Sequence, residues 1–265
     1  YLIENWDSEI VVTTFVQMIN SIFSNKNKNL KKYHNLANSI IILDEVQSIP
    51  YKYWKLVNNT LKKMSETLNC YIILVTATMP LIFDESKNEI IELATDKKDY
   101  FSYFNRIDLD VSLLKNPMNT EEFNKVIQRD LEDNPQDSFL FVLNTIKSSL
   151  RVYTFILENF PDREIIYLST NIVPKERLER INRIKTSKNC IVISTQLVEA
   201  GVDIDLDRVY RDFGPLDSIN QVCGRCNRNG LKDKKGQVKI FNLLDENDKN
   251  KPFSTYIYTD QILGD

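Results

Sequence analysis

Short runs of Ile, Val and Leu recur along the chain, and nothing else constrains its fold as tightly. Residues 9–15 (EIVVTTF), 39–45 (SIIILDE) and 70–78 (CYIILVTAT) form one series. Residues 138–144 (SFLFVLN), 164–170 (EIIYLST), 190–196 (CIVISTQ), 207–213 (DRVYRDF) and 236–244 (GQVKIFNLL) form a second. Apolar runs of this length read as strands buried on both faces, the pattern of parallel sheets. Helical spacing fills the gaps at 50–68, with Pro50 at the helix start, and again at about 147–159, 174–185 and 216–227. Strand and helix in alternation predict an α/β fold, its parallel sheets covered by helices on both faces.

The rhythm breaks over 84–136, a polar segment that holds KNPMN at 115–119 before the amphipathic helix at 120–134. The domain boundary is expected near 113–119, giving two lobes, 1–114 and 115–265. Residues 25–35 (NKNKNLKKYHN) read as a solvated Lys/Asn-rich loop, with a nucleic-acid contact as the lesser alternative. The net charge is −3, so any polyanion partner must bind a local patch instead of a global positive field. No apolar run is long enough to cross a bilayer, and four scattered cysteines cannot form a disulfide scaffold. A reducing, cytoplasmic setting is the expectation.

Four stretches carry chemistry. Asp44 and Glu45 end a buried strand, at the edge where open parallel sheets bind ligands. Adjacent carboxylates there suit a magnesium ion and a water aimed at a phosphoryl group. For the dipeptide taken alone, a solvated acidic turn is the better account. VTATMP (75–80) ends the next strand, with Thr76 and Thr78 in reach of that acidic pair across neighbouring strand ends. STQLVEAGVDID (194–205) leaves a strand of the second series. Thr195 and Gln196 offer contacts to a sugar-phosphate backbone, Gly201 permits close approach, and Asp203 suits a ribose hydroxyl.

QVCGRCNRNG (221–230) is the fourth. Arg225 and Arg228 are three apart, so a continuing helix would present two guanidinium forks on one face, suited to polyphosphate. Cys223 and Cys226 compete as a metal or redox pair. A structural zinc site needs four ligands, and the chain has no second Cys-x-x-Cys and one distant histidine, His34. A redox dithiol would open a helix after a thioredoxin-like strand, and that context is missing. The two cysteines read as small apolar packing residues.

In this order, these stretches resemble the motor core of superfamily-two helicases. More narrowly, the chain resembles the helicase part of the CRISPR-associated helicase–nuclease of type I systems. The residues that carry the resemblance are WDSEIVVTTFVQ, LANSIIILDEVQSIP, TATMP and, most specifically, VEAGVDIDLDRVYRDFGPLDSINQVCGRCNRNG (198–230). The resemblance implies two RecA-like lobes, the first truncated at its start. It implies Asp44 and Glu45 as the magnesium and water box, closed by Gln47, and Thr76 and Thr78 as the coupling motif. It also implies that Thr13, Thr14, Asn144, Thr145 and Thr195 touch the backbone of the tracked strand. Asp203, beside Gly201, takes the ribose contact, and Gln221, Arg225 and Arg228 reach the triphosphate. Val222 stands where many relatives carry an arginine.

The implied parent is an ATP- and Mg2+-dependent translocase on single-stranded DNA. It would act with a CRISPR RNA-guided surveillance complex and a nuclease domain or subunit, away from any membrane. All six glycines fall at or after position 201, so a Gly-x-x-x-x-Gly-Lys-Ser/Thr phosphate loop is not in this chain. One histidine cannot build the family's histidine-aspartate nuclease site. The chain alone is therefore expected to hydrolyse ATP negligibly. Two other readings remain: a non-catalytic module that binds nucleic acid or a partner, and an RNA helicase of the same superfamily. The acidic pair and the two arginines argue for an active parent, because a retired motor has no physical need for them.

Overall fold

The computed structural model describes residues 5–76, 81–94, 105–199, 201–230 and 234–258. Its contacts divide the chain into two compact units, Tyr1–Thr95 and Asp96–Asp265.

In the first unit, β1 (Ile40–Asp44) and β2 (Tyr71–Val75) pair in parallel, Ile40 opposite Tyr71 and Asp44 opposite Val75. Helix α1 (Phe15–Phe23) starts at Thr14, whose hydroxyl accepts the Gln17 N–H at 3.2 Å. Helix α2 (Trp54–Leu68) follows Pro50 by one turn of 3-10 helix and ends on Asn69 in the left-handed region. Its buried stripe of Val57, Leu61 and Met64 packs with Leu43, Val46 and Ile49 in one core.

Two expectations fail here. Residues 9–15 form no strand: Ile10 and Val12 are 84% and 96% exposed, and the segment runs into α1. A β-branched run becomes a strand only against a ladder partner, and the two-stranded sheet holds β1 and β2 alone. Nor are β1 and β2 covered on both faces, since Ile40, Ile42 and Tyr71 are exposed.

The second unit is built on a six-stranded parallel sheet, ordered β3-β8-β7-β4-β6-β5. The strands are β3 (Ile107–Asp110), β4 (Phe139–Val142), β5 (Ile165–Leu168), β6 (Ile191–Ser194), β7 (Arg208–Asp212) and β8 (Gly236–Phe241). Among the described residues four α-helices belong to it: α3 (Thr120–Asp133), α4 (Ile146–Asn159), α5 (Pro174–Thr186) and α6 (Leu216–Cys223). Asn119 and Thr145 close capping boxes on α3 and α4, and Pro174 opens α5. One face of the sheet packs Phe139, Phe141, Tyr210 and Phe241 against Phe123 and Ile127 of α3 and Val152 and Ile156 of α4. The other face packs Leu140, Val192, Val209 and Val238 with Ile184 of α5 and Val222 of α6. After β8, β9 (Leu244–Asp245) and β10 (Lys251–Pro252) form a separate antiparallel pair. This is an α/β unit whose parallel sheet carries a core on each face.

Strand β3 lies inside the polar segment that broke the sequence rhythm. It pairs with β8, and the contacts accordingly divide at 95/96 instead of the 114/115 boundary read from composition. An edge strand has half the apolar demand of a central one, so IDLD carries little hydrophobic signal.

Candidate functional site

The first unit's site is at the carboxyl ends of β1 and β2. Asp44 ends β1, and its Oδ1 accepts the Glu45 N–H at 3.0 Å. Glu45 turns the chain in the left-handed region, at φ 54°. A non-glycine residue there is strained, and such strain concentrates at functional turns. Gln47 then bridges two neighbours: its Nε2 donates to Glu45 Oε2, and its Oε1 accepts the Thr76 hydroxyl. Thr76 follows β2 directly. The structure thus joins Glu45, Gln47 and Thr76 in one relay, with both carboxylates exposed. Thr78 lies outside the described residues. Thr13 and Thr14 are exposed at the start of α1, where Thr13 also donates to Gln17 Oε1 at 2.8 Å.

In the second unit the candidate residues lie at the carboxyl ends of the adjacent strands β7, β4 and β6. Asn144 follows β4 and is 1% exposed. Its Nδ2 donates to Asp212 Oδ2 at 2.9 Å and to the Phe213 carbonyl at 2.7 Å, and its Oδ1 accepts from Arg211 at 2.8 Å. Both ends of the amide are bonded inside the protein, so the Asn144 side chain is not presented to solvent. Thr145 caps α4, with its Oγ1 accepting the Ser148 N–H at 3.1 Å. Thr195 follows β6 at 5% exposure, and Gln196 Nε2 donates to the Asn144 carbonyl at 2.9 Å. Gly201 has φ +71° and nothing within 4 Å of where a Cβ would stand, so the backbone conformation is what calls for glycine.

The arginine segment differs from its expected form. Helix α6 ends at Cys223, not near 227, and Gly224 caps it. The chain then turns, with Cys226 bridging Leu206 and Asn227 at φ 44°. Arg225 and Arg228 therefore do not share a helix face. Arg225 is 8% exposed, and its fork donates to the carbonyls of Val198 at 2.8 Å and Glu199 at 2.7 Å. Arg228 is half-buried, with Nε 3.2 Å from Asp203 Oδ1. Its N–H donates to Asp205 Oδ1 at 2.8 Å, and Arg106 donates to its carbonyl. Lys185 also reaches Asp203, at 3.2 Å. The Lys185 hydrogen bond and charge, with Arg228 adding, hold the Asp203 carboxyl below its usual range. Gln221 sits on the last turn of α6.

The cysteines pack. Cys226 is 2% exposed, its Sγ 3.2 Å from the Asp207 carbonyl. Burial raises the Cys223 thiol to about 11, the reverse of a reactive thiolate. Among the described residues no three His, Cys, Asp or Glu side chains group as a metal site, and no helix is long and apolar enough to cross a membrane.

Sequence reading missed a buried charged group at these strand ends. Arg211, fully buried on β7, lies 3.0 Å from Glu199 Oε1 and donates to Ser218 Oγ at 2.7 Å. Its neighbour Asp212, also fully buried, accepts from Leu243 N at 3.1 Å, and burial pushes its carboxyl up to about 7. The available signal was the Arg-Asp pair that ends a strand in which Val209 and Tyr210 are buried.

Residues 135–231 match the family described as CRISPR-associated nuclease/helicase Cas3, C-terminal. That stretch holds β4 to β7, α6 and the arginine segment. Over that stretch the chain is similar to the Cas3 helicases. It is 24% identical to the CRISPR-associated nuclease/helicase Cas3 of Haloferax volcanii, over 94% of this chain and 36% of that protein. Its fold superposes on the crystal structure of T. fusca Cas3-AMPPNP with a TM-score of 0.71 at 17% identity, covering 93% of this chain and 34% of that one. A chain of the structure described as a CRISPR RNA-guided surveillance complex, pre-nicking, gives 0.66 at 16% identity, covering 93% and 36%. The chain thus spans about a third of the Cas3 proteins it matches.

Proposed function

We propose that this chain is the motor portion of an ATP-dependent helicase or translocase on single-stranded DNA. It would serve CRISPR interference together with a surveillance complex and a nuclease domain or subunit. The observation that carries the reading is the relay at the ends of β1 and β2, in which Gln47 ties Glu45 to Thr76. A solvated acidic turn has no use for a neighbouring strand's hydroxyl; a carboxylate that must hold one orientation does.

The residues present fit magnesium and part of a nucleotide. Two exposed carboxylates at a strand end are hard oxygen donors, and magnesium binds through one or two carboxylates while keeping waters and phosphate oxygens. When bound, the ion neutralises charge on the transferring phosphoryl group. Asp44 would hold it. Glu45, fixed through Gln47, would orient the attacking water and take its proton. Arg228, the more exposed of the two arginines, would meet the phosphates, while Arg225 fixes the turn beside it. Asp203 would exchange its Arg228 contact for a ribose hydroxyl. Thr13, Thr14, Thr145 and Thr195 would touch the DNA backbone, with Asn144 supporting from below, and Thr76 would couple the two tasks, with Thr78 beside it in sequence.

The phosphate-cradling glycine loop is not in this chain, so the 265 residues alone should release negligible phosphate from ATP, with or without DNA. The longer protein should show DNA-stimulated hydrolysis that Glu45→Gln lowers by about a thousandfold or more, the scale of a lost group in phosphoryl transfer. Unchanged turnover in Glu45→Gln would sink the assignment.

A further inference from the structure

Arg211 has no part in the proposed chemistry, yet it is a fully buried charged side chain with four side-chain partners. It is fully buried, at the carboxyl end of the central strand β7. Its guanidinium joins the turns after β4 and β6 to helix α6, and Nη2 also donates to the Tyr258 hydroxyl at 3.1 Å. Nη1 donates to Asn144 Oδ1 at 2.8 Å, after β4. Nη2 lies 3.0 Å from Glu199 Oε1, after β6, and 2.7 Å from Ser218 Oγ on α6. Ser218 donates onward to Glu199 at 2.6 Å. Gly214 leaves room beside the guanidinium, since a Cβ there would stand 3.1 Å from both Arg211 Nη2 and the Tyr258 ring.

Stability does not explain the arrangement. Taking a guanidinium and a carboxylate out of water costs several kcal/mol per ion, and apolar replacements of similar volume are often as stable or more so. Burial raises the Glu199 carboxyl in spite of its partners, the mark of that penalty. The Arg211 Nε is also buried without an acceptor among the described residues. A planar fork supplies what an apolar pair cannot, namely fixed directions to several acceptors at once.

We infer that Arg211, braced by Glu199, is a positioning residue that holds the Asn144–Thr145 and Thr195–Glu199 turns in register for contact with the backbone of single-stranded DNA. This rests on the function proposed above. Asn144 is the joint. Arg211 holds its side chain, Gln196 holds its carbonyl, and the next residue is Thr145. Thr195 is tied in through Gln196 and Glu199, its neighbours on the other turn. Neither Arg211 nor Glu199 needs to touch the nucleic acid.

Arg211→Lys separates charge from geometry, since an ammonium still neutralises Glu199 but cannot reach all the acceptors. Two measurements are made on it. Amide hydrogen exchange of the 265-residue chain should show faster exchange over 144–148 and 195–199, with the sheet core unchanged. In the longer protein, the concentration of oligothymidylate giving half-maximal ATPase stimulation should rise about tenfold while the nucleotide KM shifts less than about threefold. Lost folded protein alone would lower the maximal rate and leave both half-maximal concentrations unchanged. If Arg211→Lys fails to fold, Arg211→Met with Glu199→Leu keeps volume without charge and should behave likewise. Unchanged exchange in the two turns, or loosened turns with unchanged DNA dependence, overturns the inference. A wild-type protein with no response to DNA would instead overturn the function reading, while the exchange result still decides whether Arg211 sets the turns.

Discussion

Residues that look equivalent in sequence do different work in the structure. Arg225 and Arg228 are three apart, yet one is buried against carbonyls and the other pairs with an exposed aspartate. Arg225→Ala strips two carbonyls of their donor in a buried setting, which should destabilise the chain by about 2–4 kcal/mol. Arg228→Ala removes an exposed ion pair and should change stability by less than about 1 kcal/mol. Chemical denaturation of both variants checks this, and similar losses in the two would contradict the assignment of roles. The second residue-scale consequence concerns Asp212. Its carboxyl, ordinarily near 3.8, is raised to about 7 by burial, against donors from Leu243 and Asn144 and the charge of Arg211. The folded state therefore binds this proton more tightly than the unfolded one. The resulting stabilisation is complete below pH 3.8 and is lost as pH rises through about 7. Asp212→Asn removes the titration, so unfolding free energy measured across that window should decline less steeply than in the wild type. An unaltered slope would mean that another group sets it.

At the level of elements, periodicity located all of the second series of strands and failed where neighbours decide. The Val-rich segment 9–15 has the composition of a strand and is exposed, because ladder pairing is a property of two segments and not of one. Strand β3 shows the reverse case, a polar sequence recruited by pairing with β8. The end of α6 was equally illegible. Cys226 is drawn off the helical path to bridge Leu206, a contact with no local signal. What is local was legible, as with the exposed carboxylates of Asp44 and Glu45 at a strand end. Contacts to distant partners were not, as for Arg211 with Asn144 and for Arg225 with the carbonyls of Val198 and Glu199. One packing consequence can be tested. A Cβ on Gly236, the first residue of β8, would collide with Cys226 Sγ and stand 3.1 Å from Asn227 Cβ. Gly236→Ala should destabilise by about 1–3 kcal/mol, the range for overpacking. Cys226→Ala in the same chain should recover part of that loss, and denaturant midpoints of the single and double variants measure it. No recovery would show that Asn227, and not the cysteine, sets the limit.

On the scale of the whole chain, the two units differ in how completely their sheets are covered. The second has a six-stranded sheet with a core on each face, Phe123, Phe141 and Tyr210 on one and Val192, Val209 and Val238 on the other. The first has one core, and Ile40, Ile42, Tyr71 and Val12 are 67%, 63%, 69% and 96% exposed. Exposed apolar strand faces of that kind promote association, and a two-stranded sheet is marginal by itself. The units should therefore unfold separately, which sets aside a single two-state description of the chain. Calorimetry should resolve two transitions, the earlier belonging to residues 1–95. Residues 96–265 expressed alone should remain monomeric and reproduce the later transition. The first unit expressed alone should self-associate. A single cooperative transition in the full chain, together with an unfolded 96–265 segment, would show that the second unit depends on the first for its stability, and the independence argued from the two covered faces of its sheet would fall.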